Sequence, residues 1–189
     1  MAATPSNMTP LGSPCPDFSL PDTVSGEAVS RGDYKGRPLL VMFICNHCPF
    51  VKHIRSELAL LGRDFEGKLG IVAISSNDIE NYPDDAPDKM KIEAAEAGYA
   101  FPYLFDESQE VAHTFKAACT PDFFLYDADH KLAYRGQLDD SRPKSSEPVT
   151  GRDLRAAIKA VLEGRKPDEN QTPSMGCNIK WKKGNEPKD

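Results

Sequence analysis

Two cysteines separated by two residues, Cys45 and Cys48, are the part of this chain best suited to chemistry. The five cysteines, Cys15, Cys45, Cys48, Cys119 and Cys177, are an odd number spread over 189 residues. That is not the pattern of a secreted disulfide scaffold, and in a reducing compartment a close C-x-x-C pair is catalytic or metal-binding. A zinc ribbon would need a second C-x-x-C or a matching pair of histidines, and neither is present. Thiol exchange is the leading expectation. A thiolate attacks a disulfide sulfur, and a second thiol within reach resolves the mixed disulfide. Cys45 is expected to be the exposed nucleophile and Cys48, a turn inside a helix, the resolving thiol. His47, when protonated, would favour the Cys45 thiolate and make the pair less reducing. Asn46, between them, is an auxiliary candidate. A bound metal held by the pair with His47, His53 or a distant cysteine is the rival reading.

The flanking sequence says how the pair is positioned. Residues 39–44 read LLVMFI, a continuous apolar run expected of a strand buried on both faces, and it delivers Cys45 at its end. Val51, Ile54, Leu58 and Leu61 then recur at helical spacing, with Pro49 in the first turn and Gly62 after the end. A helix N-terminus presents unpaired N–H groups and favours a thiolate.

Further elements follow in order. A hairpin is expected near residues 17–20 and 28–30, a second buried strand over 69–74, and a helix over 88–97 stopped by Gly98. A short strand at 103–105 precedes a helix over 109–118, with Asp106 and Gln109 at capping-box spacing. Residues 122–126 and 132–135 read as an antiparallel hairpin, and Thr150 with Asp153 opens a last helix ended by Gly164. The sum is an α/β fold with a mixed central sheet flanked by helices, in the order of a thioredoxin-like domain. Residues 1–16 read as an N-terminal arm, 17–166 as the domain and 167–189 as a tail. The tail carries the single tryptophan, Trp181, whose burial would dock it. Residues 136–149 form a polar loop long enough to be functional or mobile.

Composition narrows the partners. With 39% hydrophobic residues, the chain can bury one sizeable core. A net charge of −6 argues against nucleic acid or an anionic membrane surface as partner. No stretch has the apolar length of a membrane span or the pattern of a secretion signal, so a cytosolic location is expected.

The segments MFICNHCPFVKHI, VAISSNDIENYPDD, FPYLFDESQEVAHTF, ACTPDFFLYD, YRGQLDDSRP, PVTGRDLR and PSMGCNIKW together resemble peroxiredoxin-like thioredoxin-family proteins of the alkyl hydroperoxide reductase/thiol-specific antioxidant superfamily. The resemblance spans residues 16–184. It implies a thioredoxin fold of the peroxiredoxin type and a cis peptide bond before Pro121, facing the cysteine pair. Backbone groups of Thr120 would there pair with an extended substrate segment. It implies no organic cofactor, a thioredoxin- or glutathione-type electron donor, and a protein disulfide or a peroxide as substrate.

The sequence departs from true peroxiredoxins, whose peroxidatic cysteine follows a hydroxyl residue and, further back, a proline: the Cys48 frame has Cys45 and Val41 at those positions, and the Cys45 frame has Met42 and Pro38, so neither frame keeps both. Peroxidase chemistry also needs a nearby arginine, for which Arg135 and Arg142 are candidates. Cys119, two residues before Pro121, and Cys177 in the tail could form a second dithiol relaying electrons to the pair, gather a soft metal, or be inert buried thiols. Asp78 either caps a turn or accepts a proton from Cys48. Thiol–disulfide oxidoreductase is the reading carried forward. The rivals are a thiol peroxidase, a metal-binding thioredoxin-like module, and an interaction protein that senses oxidant through its tail.

Overall fold

The structure is a computed structural model and describes residues 3–188. Its elements in chain order are β1 (Ala3–Pro5), β2 (Ser19–Pro21), β3 (Ala28–Ser30), β4 (Leu39–Phe43), α1 (Pro49–Asp64), β5 (Gly70–Ser75), α2 (Pro87–Ala97), β6 (Tyr103–Phe105), α3 (Glu110–Phe115), β7 (Cys119–Thr120), β8 (Asp122–Tyr126), β9 (Leu132–Arg135), α4 (Arg152–Leu162) and β10 (Met175–Asn178). The central sheet runs β6-β5-β4-β8-β9. Strands β4, β5 and β6 are parallel, whereas β8 and β9 join antiparallel.

Strand β4 is central, and every one of its residues is buried. Successive side chains on a strand face opposite ways, so Leu40 and Met42 pack with Ile54, Leu58 and Ile158 of the α1 and α4 side. Leu39, Val41 and Phe43 pack with Phe18, Phe115 and Phe124 on the other face. Helices on both faces explain why this strand is apolar throughout rather than alternating. Phe43, Phe115 and Phe124 meet edge-on with centroids 5.5–5.9 Å apart.

Gly62 does not end α1, which continues to Asp64. A Cβ at Gly62 would approach the Phe101 ring at 3.0 Å, so this glycine serves close packing. Helix α3 is shorter than its periodicity predicts, because Lys116 turns left-handed after Phe115. Asp106 does serve its start, accepting the Ala112 N–H at 2.9 Å. The long loop is pinned from within: the buried Asp139 carboxylate accepts N–H groups of Ser141, Thr150 and Gly151 at 2.7–2.9 Å.

The two ends of the chain form a sheet that periodicity did not signal. Strand β10 lies between β1 and β7, antiparallel to both, with Ala3 and Thr120 both in register with Cys177. The segment read as a loose arm thus holds a strand, and Cys15 within it is buried. The tail is held by this strand and by the fully buried Ile179, while Trp181 is half-buried and stacks on His113 at 4.3 Å. Gly176 is indispensable to the pairing, since a methyl group there would overlap the Thr120 carbonyl. Gly176→Ala is expected to destabilise the fold by about 1–3 kcal/mol and to speed proteolysis of the tail. Urea unfolding and limited proteolysis check this; unchanged midpoint and cleavage would contradict it.

Candidate active site

Strand β4 ends at Phe43, and the Ile44 N–H still bonds the Ile74 carbonyl at 3.0 Å, so the chain leaves the sheet at Cys45. Pro49 opens α1, which makes Cys48 the N-cap of the helix rather than a residue inside it. Proline suits the first helical position because the missing N–H has no partner there anyway. Both sulfur-bearing residues are closed off from solvent, Cys45 being 1% and Cys48 0% exposed, so Cys45 is not the exposed member of the pair.

Across from them the Thr120–Pro121 peptide bond is cis. The Cys48 sulfur lies 3.2 Å from the Thr120 carbonyl, and the Cys45 sulfur lies 3.5 Å from the Thr120 hydroxyl. Cys177 faces the same centre: its sulfur is 2.9 Å from that of Cys48. Cys119 does not join it. It pairs in register with Asn178, one step along β7, and side chains alternate along a strand. A Cys119–Cys177 dithiol is therefore not what the fold assembles, and the Cys119 sulfur instead meets the Pro121 carbonyl at 3.5 Å.

Sequence reasoning missed Asp85. The turn Pro83–Asp85 carries this fully buried carboxylate beneath the cysteine loop. Its Oδ1 accepts the backbone N–H groups of Asn46 at 2.8 Å and His47 at 3.2 Å. Its Oδ2 accepts from Asn77 at 2.8 Å and from His47 Nδ1 at 2.5 Å. Burial pushes the Asp85 carboxyl up, but the bonds from His47 and Asn77, the His47 charge and the Asn46 N–H together hold it below its ordinary value. The ring of His47, stacked on Tyr82 at 5.3 Å, is 3.9 Å from the Cys45 sulfur. A positive His47 is thus answered by Asp85, and the pair brings Cys45 no net positive charge. Asn46 adds Nδ2 to the Asp84 carbonyl at 2.9 Å and accepts the Tyr103 hydroxyl at 3.0 Å, which fixes the loop.

These surroundings divide the two thiols. Cys45 is pushed well up by its interaction with Cys48, by burial and by the Asp85 charge. Cys48 is pulled down by the neighbouring Cys45 thiol, against burial, with help from Cys177, the Thr120 side chain and the Val51 N–H. The Thr120 carbonyl opposes the thiolate, but two thiols and a helix N-terminus stand against one carbonyl dipole. The directions at the two sulfurs are those of one coupled pair, with the shared proton displaced from Cys48 toward Cys45. Cys177 itself is pushed up to about 12, chiefly by burial and then by its contact with Cys48.

The remaining sequence candidates lie elsewhere. Asp78 caps its own turn, accepting from Glu80 N–H at 3.1 Å and Asn81 Nδ2 at 2.5 Å. Arg135 binds the Thr9 carbonyl at 2.7 Å and the Gln171 side chain at 2.8 Å, tying both ends of the chain to β9. Arg142 bonds the carbonyls of Asp139 and Ser141, each at 2.7 Å, within the long loop. His53 meets the Ser141 hydroxyl at 2.7 Å. For a metal, the group that converges among the described residues is Cys45, His47 and Asp85, whose ligand atoms lie within 4.8 Å of one another. There the His47 nitrogen facing the other two is already bonded to Asp85.

Because Asp85 is held below its ordinary value, its contribution to stability is complete at neutral pH. That contribution disappears as pH falls below about 4. Asp85→Asn is expected to lose about 1–3 kcal/mol at neutral pH and to converge with wild type in acid. Urea midpoints at neutral and acidic pH check this; an equal gap at both would contradict it.

The fold has close counterparts among solved structures. An uncharacterized conserved protein from Geobacillus kaustophilus is 54% identical with a TM-score of 0.94, over 96% of this chain and 97% of that one. A hypothetical protein from Sinorhizobium meliloti is 48% identical with a TM-score of 0.93, over 96% and 100%. A putative thiol:disulfide interchange protein DsbE from Chlorobium tepidum shares the fold at 20% identity and a TM-score of 0.64, over 81% and 98%. No curated protein matches the sequence. Among the described residues, no helix is long and apolar enough to cross a membrane. Residues 11–135, which carry β2 through β9 and the cysteine loop, match the AhpC/TSA family, and the chain belongs to that family.

Proposed function

We propose that this protein is a thiol–disulfide oxidoreductase that exchanges two electrons with a disulfide through Cys45 and Cys48. The observation that carries the reading is the placement of Cys48 at the N-cap of α1 with Cys45 beside it, both against the Thr120–Pro121 segment. In the reducing direction the Cys48 thiolate attacks one sulfur of the substrate disulfide and expels the other as a thiolate, leaving a mixed disulfide. Cys45 then gives up its proton, attacks the Cys48 sulfur and expels the second substrate thiolate. The substrate gains two electrons and two protons, one proton from Cys45 and one from water, and a Cys45–Cys48 disulfide remains for a thioredoxin- or glutathione-type donor to reduce.

His47 and Asp85 position the loop and set a threshold for removing the Cys45 proton. The interaction with Cys48 that chiefly holds the Cys45 proton is lost once Cys48 is bonded to substrate, while the Asp85 charge goes on opposing ionisation. Peroxidase chemistry is less well served. Charge on the leaving oxygen of a peroxide calls for a cation at the sulfur, and Arg135 and Arg142 are both engaged in backbone contacts elsewhere.

Treating the reduced full-length protein with oxidised glutathione is expected to remove two of its five free thiols, and Cys48→Ser to abolish the loss. A wild-type protein that keeps all its thiols, or consumes hydrogen peroxide much faster than the disulfide, would overturn the reading.

A further inference from the structure

Strand β10 lies where a substrate would be expected. It pairs antiparallel with β7, the edge immediately before Pro121, and puts Cys177 directly across from Thr120. An extended segment added to a sheet edge gains affinity from main-chain hydrogen bonds and places alternate side chains in the site. This edge is already filled by the chain itself, with a cysteine at the position nearest the redox pair. The Cys177 sulfur is 2.9 Å from Cys48, and a disulfide needs about 2.05 Å. The strand is fixed there by three independent contacts. Ser174 donates its hydroxyl to the Pro121 carbonyl at 2.7 Å, Ala3 to Pro5 pair with its outer edge, and Gly176 lets it approach the Thr120 carbonyl.

We propose that Cys177 is a third redox-active thiol and that β10 is a resident substrate strand, so that oxidised protein holds a Cys48–Cys177 disulfide. The proposal deepens the oxidoreductase reading and rests on it. After Cys45 and Cys48 have reduced a substrate disulfide, the Cys177 sulfur attacks Cys48. The Cys48–Cys177 bond forms as Cys45–Cys48 breaks, Cys177 gives up its proton, and Cys45 leaves as a thiolate that takes one up. No electrons are gained or lost in this exchange, so no further oxidant is needed. The tail is then covalently tied over the edge that an incoming segment would use, and reduction by a donor thiol releases it.

The experiment is disulfide mapping of full-length protein oxidised with glutathione disulfide, alkylated and digested without reduction, for wild type, Cys45→Ser and Cys177→Ser. Wild type is expected to yield the Cys48–Cys177 peptide pair. Cys45→Ser is expected still to lose two thiols and to yield the same pair, while Cys177→Ser yields Cys45–Cys48 only. If wild type forms only Cys45–Cys48 and Cys45→Ser stops as a glutathione adduct on Cys48, the inference is overturned and the oxidoreductase reading stands. If wild type forms no intramolecular disulfide, both are overturned.

Discussion

A thiolate in a site shielded from water has to be met by donors that can reach its sulfur, and for the proposed Cys48 thiolate this fold draws them from three places. The helix N-terminus comes from α1, one thiol from the loop after β4, and another from a strand more than a hundred residues later. Each contributor requires a different part of the architecture. The parallel β4 and β5 aim the loop, Pro49 begins the helix one residue after the sulfur, and the sheet made from both chain ends brings Cys177 in. Removing any one leaves a buried charge short of partners, which is costly in a low-dielectric interior.

Asp85 and His47 complete this arrangement by keeping charge away from the other sulfur. A lone imidazolium next to Cys45 would have drawn the thiolate toward it. With the Asp85 carboxylate bonded to the ring and to two N–H groups of the loop, the carboxylate charge disfavours ionised Cys45.

Much of this was legible in the sequence. The apolar run of β4, the helical spacing of α1 and α4 and the β8–β9 hairpin all sit at the places their patterns predict, because each buries a face whose period is local. The pieces that were not legible depend on distant partners. Strands β1, β7 and β10 are two to four residues long, too short for alternation to register, and their pairing joins positions far apart in the chain. Asp85 reads as one more acidic residue after a proline, since only the tertiary fold buries it. The roles proposed for Cys45 and Cys48 turn on a single helical boundary. Pro49 at the first helical position already implied Cys48 as the cap, and that signal outweighs the order of the cysteines in the chain.

The proposed chemistry depends on a thiolate at Cys48. The most direct test follows the ultraviolet absorbance of thiolate against pH in the fully reduced protein, alongside Cys45→Ser and Cys48→Ser. One ionisation well below the ordinary thiol value of about 8.5 is expected, absent from Cys48→Ser and kept in Cys45→Ser. A low ionisation that survives in Cys48→Ser and vanishes in Cys45→Ser would contradict it.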